Sequence, residues 1–272
     1  MALTPDMFEK LTRLIAGDMV AGHYAVRLAN SDAEIAAAQK LRYEVLFQES
    51  GGRVTREMLN TEREEDEWDN VAYHVIVIDT EKQDQVVGTV RLVSNTNLKE
   101  GQRFYTEHAF NIDRLRARYD SILELSRACV SPDGRGGAIL MLMWKFTIQF
   151  IEHNNYQLLF GCASFKGIDY QAHTDILSYL YHNNLATAQL MPVPTGDVDS
   201  VAIADFKQPP TAGEKHGKVP TLLRGYLKIG ARISEHAIID PVFNTTFVAI
   251  YVDAQEMFQS DHALVTKALP EA

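Results

Sequence analysis

The segment 122–165 constrains this chain more than any other. Ile122–Val130 is a largely apolar run of strand length, residues 131–137 are a glycine-bearing turn, and Ala138–His153 carries a helical pattern stopped by Asn154 and Asn155. Residues 157–165 then return as a second strand. Strand, turn, helix and strand make a βαβ unit, so the two strands should lie parallel in one sheet. Upstream, the runs 72–78 and 86–93 are joined only by the polar stretch 79–85 and predict an antiparallel hairpin. The expected fold is α/β (α+β), a mixed twisted sheet with helices on both faces.

The remaining elements fit one domain spanning 1–272. Residues 24–29 read as a short strand, and Ser31 or Asp32 caps a helix running to about Gln48, with Glu34 in its first turn. Gly51 and Gly52 end it and open a polar loop through Asn70. Short helices are expected at 113–119, 170–183 and 221–229, with closing strands at 231–239 and 245–252. The Pro/Gly-rich stretch 191–220 is the one candidate linker, but its flanks are too small to fold alone, so it reads as a long internal loop. In residues 1–20, Met7, Phe8, Leu11, Leu14 and Ile15 recur at helical spacing and predict an amphipathic N-terminal helix.

Hydrophobic residues make up 46% of the chain and charged residues 23%, enough for a full core. No apolar run reaches the roughly 20 residues that a membrane span needs. The N-terminus lacks the basic-then-apolar order of a signal peptide, so a cytoplasmic location is expected. The net charge of −10 argues against nucleic acid, which needs clustered Lys and Arg. An acidic partner would have to use a local basic patch. Cys129 and Cys162 both fall in expected strands and read as small hydrophobes, and no metal-ligand spacing is present.

The chemistry concentrates around the βαβ unit. Glu124, Ser126 and Arg127 lie in mid-strand, with alternation putting Glu124 and Ser126 on one face and Arg127 on the other. Covered sheet faces make such charges costly unless they are paired or used. A buried carboxylate carries a raised pKa and suits proton acceptance from an attacking ammonium, although a structural Glu–Arg pair fits the same pattern. Arg42 and Arg91 repeat the anomaly on core-facing elements, and together the three arginines suggest an internal anionic site. Asp66 and Asp69 could serve as counterions, or belong to a solvated loop. The turn at Arg135, Gly136 and Gly137 suits a phosphate through its free N–H groups and the helix N-terminus, and equally suits a plain connection. Arg224, Lys228 and Arg232 form either a docking patch for an acidic partner or a solvated face.

The chain resembles the bacterial L-ornithine Nα-acyltransferases, and more distantly the N-acyl amino acid synthases and acyl-homoserine-lactone synthases. The segments that carry the resemblance are LRYEVLFQE (41–49), VVGTVRLV (86–93), ELSRACVSPDGRGGAILMLMW (124–144) and LLFGCASFKGID (158–169). LSYLYHNNLA (177–186), LLRGYLKIGARI (222–233) and FNTTFVAIYV (243–252) extend it. The order Arg…Asp-x-x-Asp…Arg…Glu-x-Ser-Arg is shared with the lactone synthases. The Arg/Gln-x-x-Gly-x-Gly/Ala signature of acetyl-CoA enzymes is replaced here by Arg135-Gly-Gly-Ala-Ile.

The resemblance implies an acetyltransferase (GNAT-like) fold with a βαβ core that binds pantetheine. It implies attack of the α-amine of L-ornithine on an acyl carrier protein thioester carrying a (3-hydroxy) fatty acyl group, giving lyso-ornithine lipid. The donor's phosphopantetheine would be a substrate, with no bound cofactor. Arg42, Asp66, Asp69, Arg91, Glu124, Ser126 and Arg127 would line the reaction centre, with Glu124 as proton acceptor. Arg91 or Arg127 would bind the acceptor carboxylate, and Asp66 or Asp69 its side-chain ammonium. Backbone N–H groups near Cys129 and Val130 would steady the oxyanion, and Arg224, Lys228 and Arg232 would dock the carrier protein. The N-terminal helix suits packing in the core or a dimer, and also peripheral contact with the inner membrane. Alternatives are another acceptor, lactone synthesis from S-adenosylmethionine, a CoA thioester donor, or a module that binds an acylated ligand without turning it over.

Overall fold

The computed structural model of the protein describes residues 19–206, 219–260 and 265. Along the chain, β1 (Met19–Ala21) and β2 (Tyr24–Leu28) precede helix α1 (Asp32–Arg42), whose N-terminus is capped by the Ser31 hydroxyl. The helix runs on as a wider π-helical segment, Tyr43–Glu49, before a short α2 (Arg56–Thr61). The hairpin β3 (Tyr73–Asp79) and β4 (Gln85–Ser94) follows, then β5 (Phe110–Asn111) and α3 (Asp113–Arg118). The βαβ unit is β6 (Ile122–Val130), α4 (Ala138–His153) and β7 (Leu158–Lys166). After α5 (Thr174–Asn184) come β8 (Val193–Pro194), β9 (Ser200–Ala202), α6 (Thr221–Lys228), β10 (Arg232–Asp240), β11 (Thr245–Asp253) and α7 (Ala254–Phe258).

One sheet takes the order β1-β2-β3-β4-β6-β7-β11-β10-β9, and β5 pairs separately with β8. Every neighbour in the large sheet is antiparallel except β6 and β7. Helix α4 presses Ile139, Met143 and Phe150 onto one face, against Val77, Val90 and Leu125. The opposite face receives Ala38 and Leu41 of α1, and a cluster built on Trp68, Phe104, Phe110 and Phe160. Each of the large aliphatic and phenylalanine side chains among them contributes about 1.5–3 kcal/mol on burial. The helix expected over residues 1–20 lies outside the described residues except at its end, where Met19–Ala21 is a strand paired with β2. Much of the expected internal loop 191–220 also lies outside them, while its first part holds β8 and β9.

Two local features shape the centre. The parallel ladder runs only from Ile122↔Leu158 to Leu125↔Gly161, after which β6 stays with β4 and β7 with β11. The strands therefore part beyond Leu125. Gly161 sits at the last pair because a Cβ there would lie 2.3 Å from the Leu125 carbonyl oxygen. One strand over, the β4–β6 register shifts between Thr89 and Arg91, and Arg127 adopts φ of 55°, a left-handed conformation that costs an ordinary residue on the order of 1–3 kcal/mol.

Candidate active site

The loop leading into β3 orients two carboxylates by its own backbone. Asp66 caps a 3-10 turn, Glu67–Asn70, accepting the Trp68 N–H at 3.0 Å, while Asp69 reaches back to the Asp66 N–H at 3.3 Å. Trp68 anchors the turn, donating its indole N–H to the Arg103 carbonyl at 2.8 Å. Three arginines converge here. Arg42 grips Asp69 with both terminal nitrogens, at 2.8 and 2.7 Å; a further hydrogen bond joins it to the Glu64 carbonyl, and its Nε lies 2.6 Å from Glu64 Oε2 as an ion-pair contact. Arg91 binds Asp66 and Asp69 through Nη1 and donates from Nε to Ser126 Oγ at 3.1 Å. Arg127 binds Glu64 at 2.9 Å and Asp66 at 3.0 Å.

Three guanidinium groups are thus matched by Glu64, Asp66 and Asp69. Burial works against the charge of Asp69, but the Arg42 hydrogen bonds and the charges of Arg42, Arg91 and His74 hold its carboxyl well below the usual range. Burial likewise opposes the charge of Arg127, and Glu64 and Asp66 hold that residue above its ordinary value. The arginines and carboxylates of the network are compensated from within.

Alternation placed Arg127 on the sheet face opposite Ser126; the structure corrects this. The bulge at its left-handed backbone breaks the two-residue period, so its guanidinium joins the carboxylates that Arg91 also holds. The same guanidinium lies 4.3 Å from the Tyr105 ring centre and 4.5 Å from that of Phe243. Two ion pairs and two ring contacts over-determine the strained residue.

Glu124 stands apart from the network. Fully buried, it accepts the backbone N–H groups of Tyr105 at 3.2 Å and Thr106 at 2.7 Å. Burial pushes its carboxyl above the ordinary value, opposed by the Thr106 backbone and hydroxyl and by the Arg91 charge. The Thr106 hydroxyl is also 3.6 Å from Cys162 Sγ. Burial raises the thiols of Cys129 and Cys162 to about 12, so neither is a thiolate near neutral pH.

Two cavities flank the parted strands. The first, about 280 Å³, is bordered by Tyr105, Thr106, Ser126, Arg127, Asp240 and Phe243. The second, about 310 Å³, is bordered by Cys129, Val130, Gly134, Arg135, Gly137 and Leu222. Both touch Ala128 and Leu222, and a pinch of about 10 Å³ bordered by the same two residues lies at Trp144 and Thr147. Gly137, at φ of 95°, begins α4 without a side-chain cap.

Of the expected site residues, Ser126 and Arg127 border the first cavity, and Cys129, Val130, Arg135 and Gly137 border the second. Gly136 is in the same turn, with nothing within 4 Å of where a Cβ would stand. Arg42, Asp66, Asp69, Arg91 and Glu124 border neither, and form the layer that holds Ser126, Arg127 and Thr106 in position. Arg135, expected free for a phosphate, is bonded to Glu49 at 2.7 and 2.5 Å; the pair is exposed, so a phosphate can displace the carboxylate at little cost. Arg224, Lys228 and Arg232 are all exposed, the first two one turn apart on α6, the helix that also supplies Leu222. Tyr105, Thr106 and Asp240 had no signal in the sequence beyond polar or mixed loop context, and Phe243 had none beyond opening the segment 243–252 that carries the resemblance. Among the described residues no group of three or more His, Cys, Asp or Glu is arranged to hold a metal ion.

A mixed sheet whose parallel strands part between two cavities, beside a glycine-bearing strand–helix turn, defines an acyltransferase of the GNAT fold, and the family model described as Acetyltransferase (GNAT) domain matches residues 41–145. The chain belongs to the family of L-ornithine N(alpha)-acyltransferases. It is 34% identical over 250 residues to the enzyme of that name from Rhodobacter capsulatus, covering 90% of this chain and 95% of the relative. The Brucella abortus enzyme is 33% identical over 253 residues, covering 87% and 86%. Among solved structures, FeeM, an N-acyl amino acid synthase from uncultured soil microbes, aligns with a TM-score of 0.45 at 9% identity, covering 90% and 97%. The AHL synthase LasI aligns with a TM-score of 0.44 at 14% identity, covering 93% and 100%.

Proposed function

We propose that the protein transfers a fatty acyl group, with a 3-hydroxyl in the favoured donor, from acyl carrier protein to the α-amine of L-ornithine, giving lyso-ornithine lipid. The observation that carries this reading is the pair of cavities meeting at Ala128 and Leu222, one bordered by Ser126 and Arg127, the other by the Gly134–Gly137 turn. One suits an amino acid and the other a pantetheine arm. Membership of the ornithine acyltransferase family supports the acceptor.

In this reading the pantetheine phosphate lies at the Arg135–Gly137 turn, and the thioester carbonyl reaches the parted strands. Arg127, which borders the first cavity, meets the acceptor carboxylate. The α-ammonium loses a proton through the Thr106 hydroxyl to Glu124, and the nitrogen attacks the carbonyl. Backbone N–H groups near Cys129 and Val130 steady the oxyanion. As the C–N bond forms and the C–S bond breaks, the nitrogen sheds two protons: one reaches the leaving sulfur, the other goes to solvent by way of Glu124. Arg224 and Lys228, on the helix whose Leu222 borders the second cavity, and the exposed Arg232 receive the acidic carrier protein. No helix among the described residues is long and apolar enough to cross a membrane; peripheral contact with the inner membrane, where the product would be delivered, belongs to the same reading.

The test is incubation of purified protein with 3-hydroxyacyl carrier protein or the matching CoA thioester, and L-ornithine, lysine, glycine and tyrosine in competition, with products read by mass spectrometry. Acyl-ornithine as the main product, formed faster from the carrier thioester, is expected. Another acylated amine overturns the acceptor, preference for CoA overturns the donor, and a requirement for S-adenosylmethionine points to lactone synthesis. No product from folded protein overturns the enzymatic reading.

A further inference from the structure

Glu64, Asp66 and Asp69 are each committed to buried arginines, and none borders the acceptor cavity. Among the described residues, Asp240 is the one carboxylate that does. It ends β10 and is fixed in direction by the following turn, its Oδ1 accepting the N–H groups of Val242 at 2.8 Å and Phe243 at 3.2 Å. Its Oδ2 has no hydrogen bond, and the carboxylate no salt bridge, among the described residues. Lys166 borders the same cavity, and both residues pair in register with Thr245, yet its ammonium is given to the Glu49 carbonyl at 3.2 Å. The same turn carries Phe243, whose ring faces the Arg127 guanidinium. One short connection therefore sets both a free anionic atom and the aromatic ring against the Arg127 guanidinium.

We propose that Asp240 is the specificity-determining residue that selects a dibasic acceptor, its Oδ2 binding the terminal ammonium of the amino acid side chain while Arg127 holds the α-carboxylate. The proposal rests on the first cavity being the acceptor site. A carboxylate held by two backbone N–H groups, with one oxygen left over, is a preorganised receptor for an ammonium. Arg127, Asp240 and Thr106 all border this cavity, so in the proposed pose opposite charges meet the two charged ends of the substrate and its α-amine faces Thr106.

The experiment measures kcat/KM for L-ornithine and for L-2-aminopentanoate, the same skeleton without the terminal amine, in the full chain and in Asp240→Asn and Asp240→Glu. Asn keeps the oxygen that the turn requires and loses the charge; Glu keeps the charge on a longer arm. The ornithine preference over 2-aminopentanoate should fall about 10- to 100-fold in Asp240→Asn, mainly through KM, and be partly restored in Asp240→Glu. An unaltered preference in Asp240→Asn, or equal losses in the two variants, overturns the proposal while the acceptor reading stands. Failure of the unaltered protein to acylate ornithine with either thioester overturns the acceptor reading, and the proposal with it. Thermal midpoints of the variants separate a folding defect from a change in selectivity.

Discussion

The carboxylate of Glu124 accepts the backbone N–H of Thr106 at 2.7 Å, and Thr106 itself borders the first cavity. The Thr106 hydroxyl also bonds this carboxyl, whose pKa burial raises, so in the proposed reaction Glu124 takes the proton of the amine through that hydroxyl. Glu124→Gln should lower kcat by about 10²–10⁴-fold, and the variant should lose the rise in rate that accompanies ionisation of that carboxyl. The sign for stability follows from the raised value. Its contribution is fully present below the ordinary carboxyl pKa of about 4.3 and is lost as pH rises through the folded value. The thermal midpoint of the glutamine variant should therefore gain on the unaltered protein as pH increases above about 4.3. An unchanged pH–rate profile would remove Glu124 from proton transfer.

Asp69 behaves in the opposite sense. Its carboxyl is held low by Arg42, Arg91 and His74 against the cost of burial, so the stability it contributes is present above the ordinary aspartate value of about 3.9 and is lost as pH falls toward the folded one. Asp69→Asn strips Arg42 and Arg91 of a shared partner and should cost about 3–5 kcal/mol, with the deficit shrinking in acid. Thermal midpoints over a pH series check this. A loss below 1 kcal/mol, on the order of an exposed pair, would show that the arginines do not depend on it.

Gly161 marks where the parallel strands begin to part. Gly161→Ala puts a methyl group 2.3 Å from the Leu125 carbonyl oxygen, so the strands must shift. A loss of about 1–3 kcal/mol is expected, with a fall in kcat/KM larger than thermal destabilisation alone accounts for. Normal activity and stability would mean that the parting tolerates movement there.

Helix α6 joins the exposed Arg224 and Lys228 to Leu222 at the junction of the cavities. Reversing both charges, Arg224→Glu with Lys228→Glu, should raise KM for a carrier-protein thioester about 10-fold or more, and more than for the CoA thioester, with the difference narrowing in high salt. Equal effects on both donors would place carrier docking elsewhere.

The sequence was most legible where structure is dictated locally. The limits of β6 and α4 coincide with the expected strand and helix, and β7 is displaced by one residue, because a buried apolar run, a glycine turn and an Asn-Asn stop are short-range signals. The short strands β5, β8 and β9 were not legible, since their existence depends on partners far away in the chain. The bulge at Arg127 escaped for a related reason: strand alternation assumes an unbroken ladder, and the shift is visible only against β4. In the candidate site, buried arginines were conspicuous as charges in apolar patterns. Thr106 and Asp240 look ordinary until the sheet brings their loops to one cavity.

The central claim is that an α-amine is acylated where β6 and β7 part, with the acceptor's terminal ammonium held away from the thioester. Tandem mass spectrometry of the ornithine product tests it most directly. Fragment ions should locate the acyl group on the α-nitrogen and leave the terminal amine free. Acylation of the terminal nitrogen, or a mixture of the two, would contradict the orientation proposed for Arg127 and Asp240.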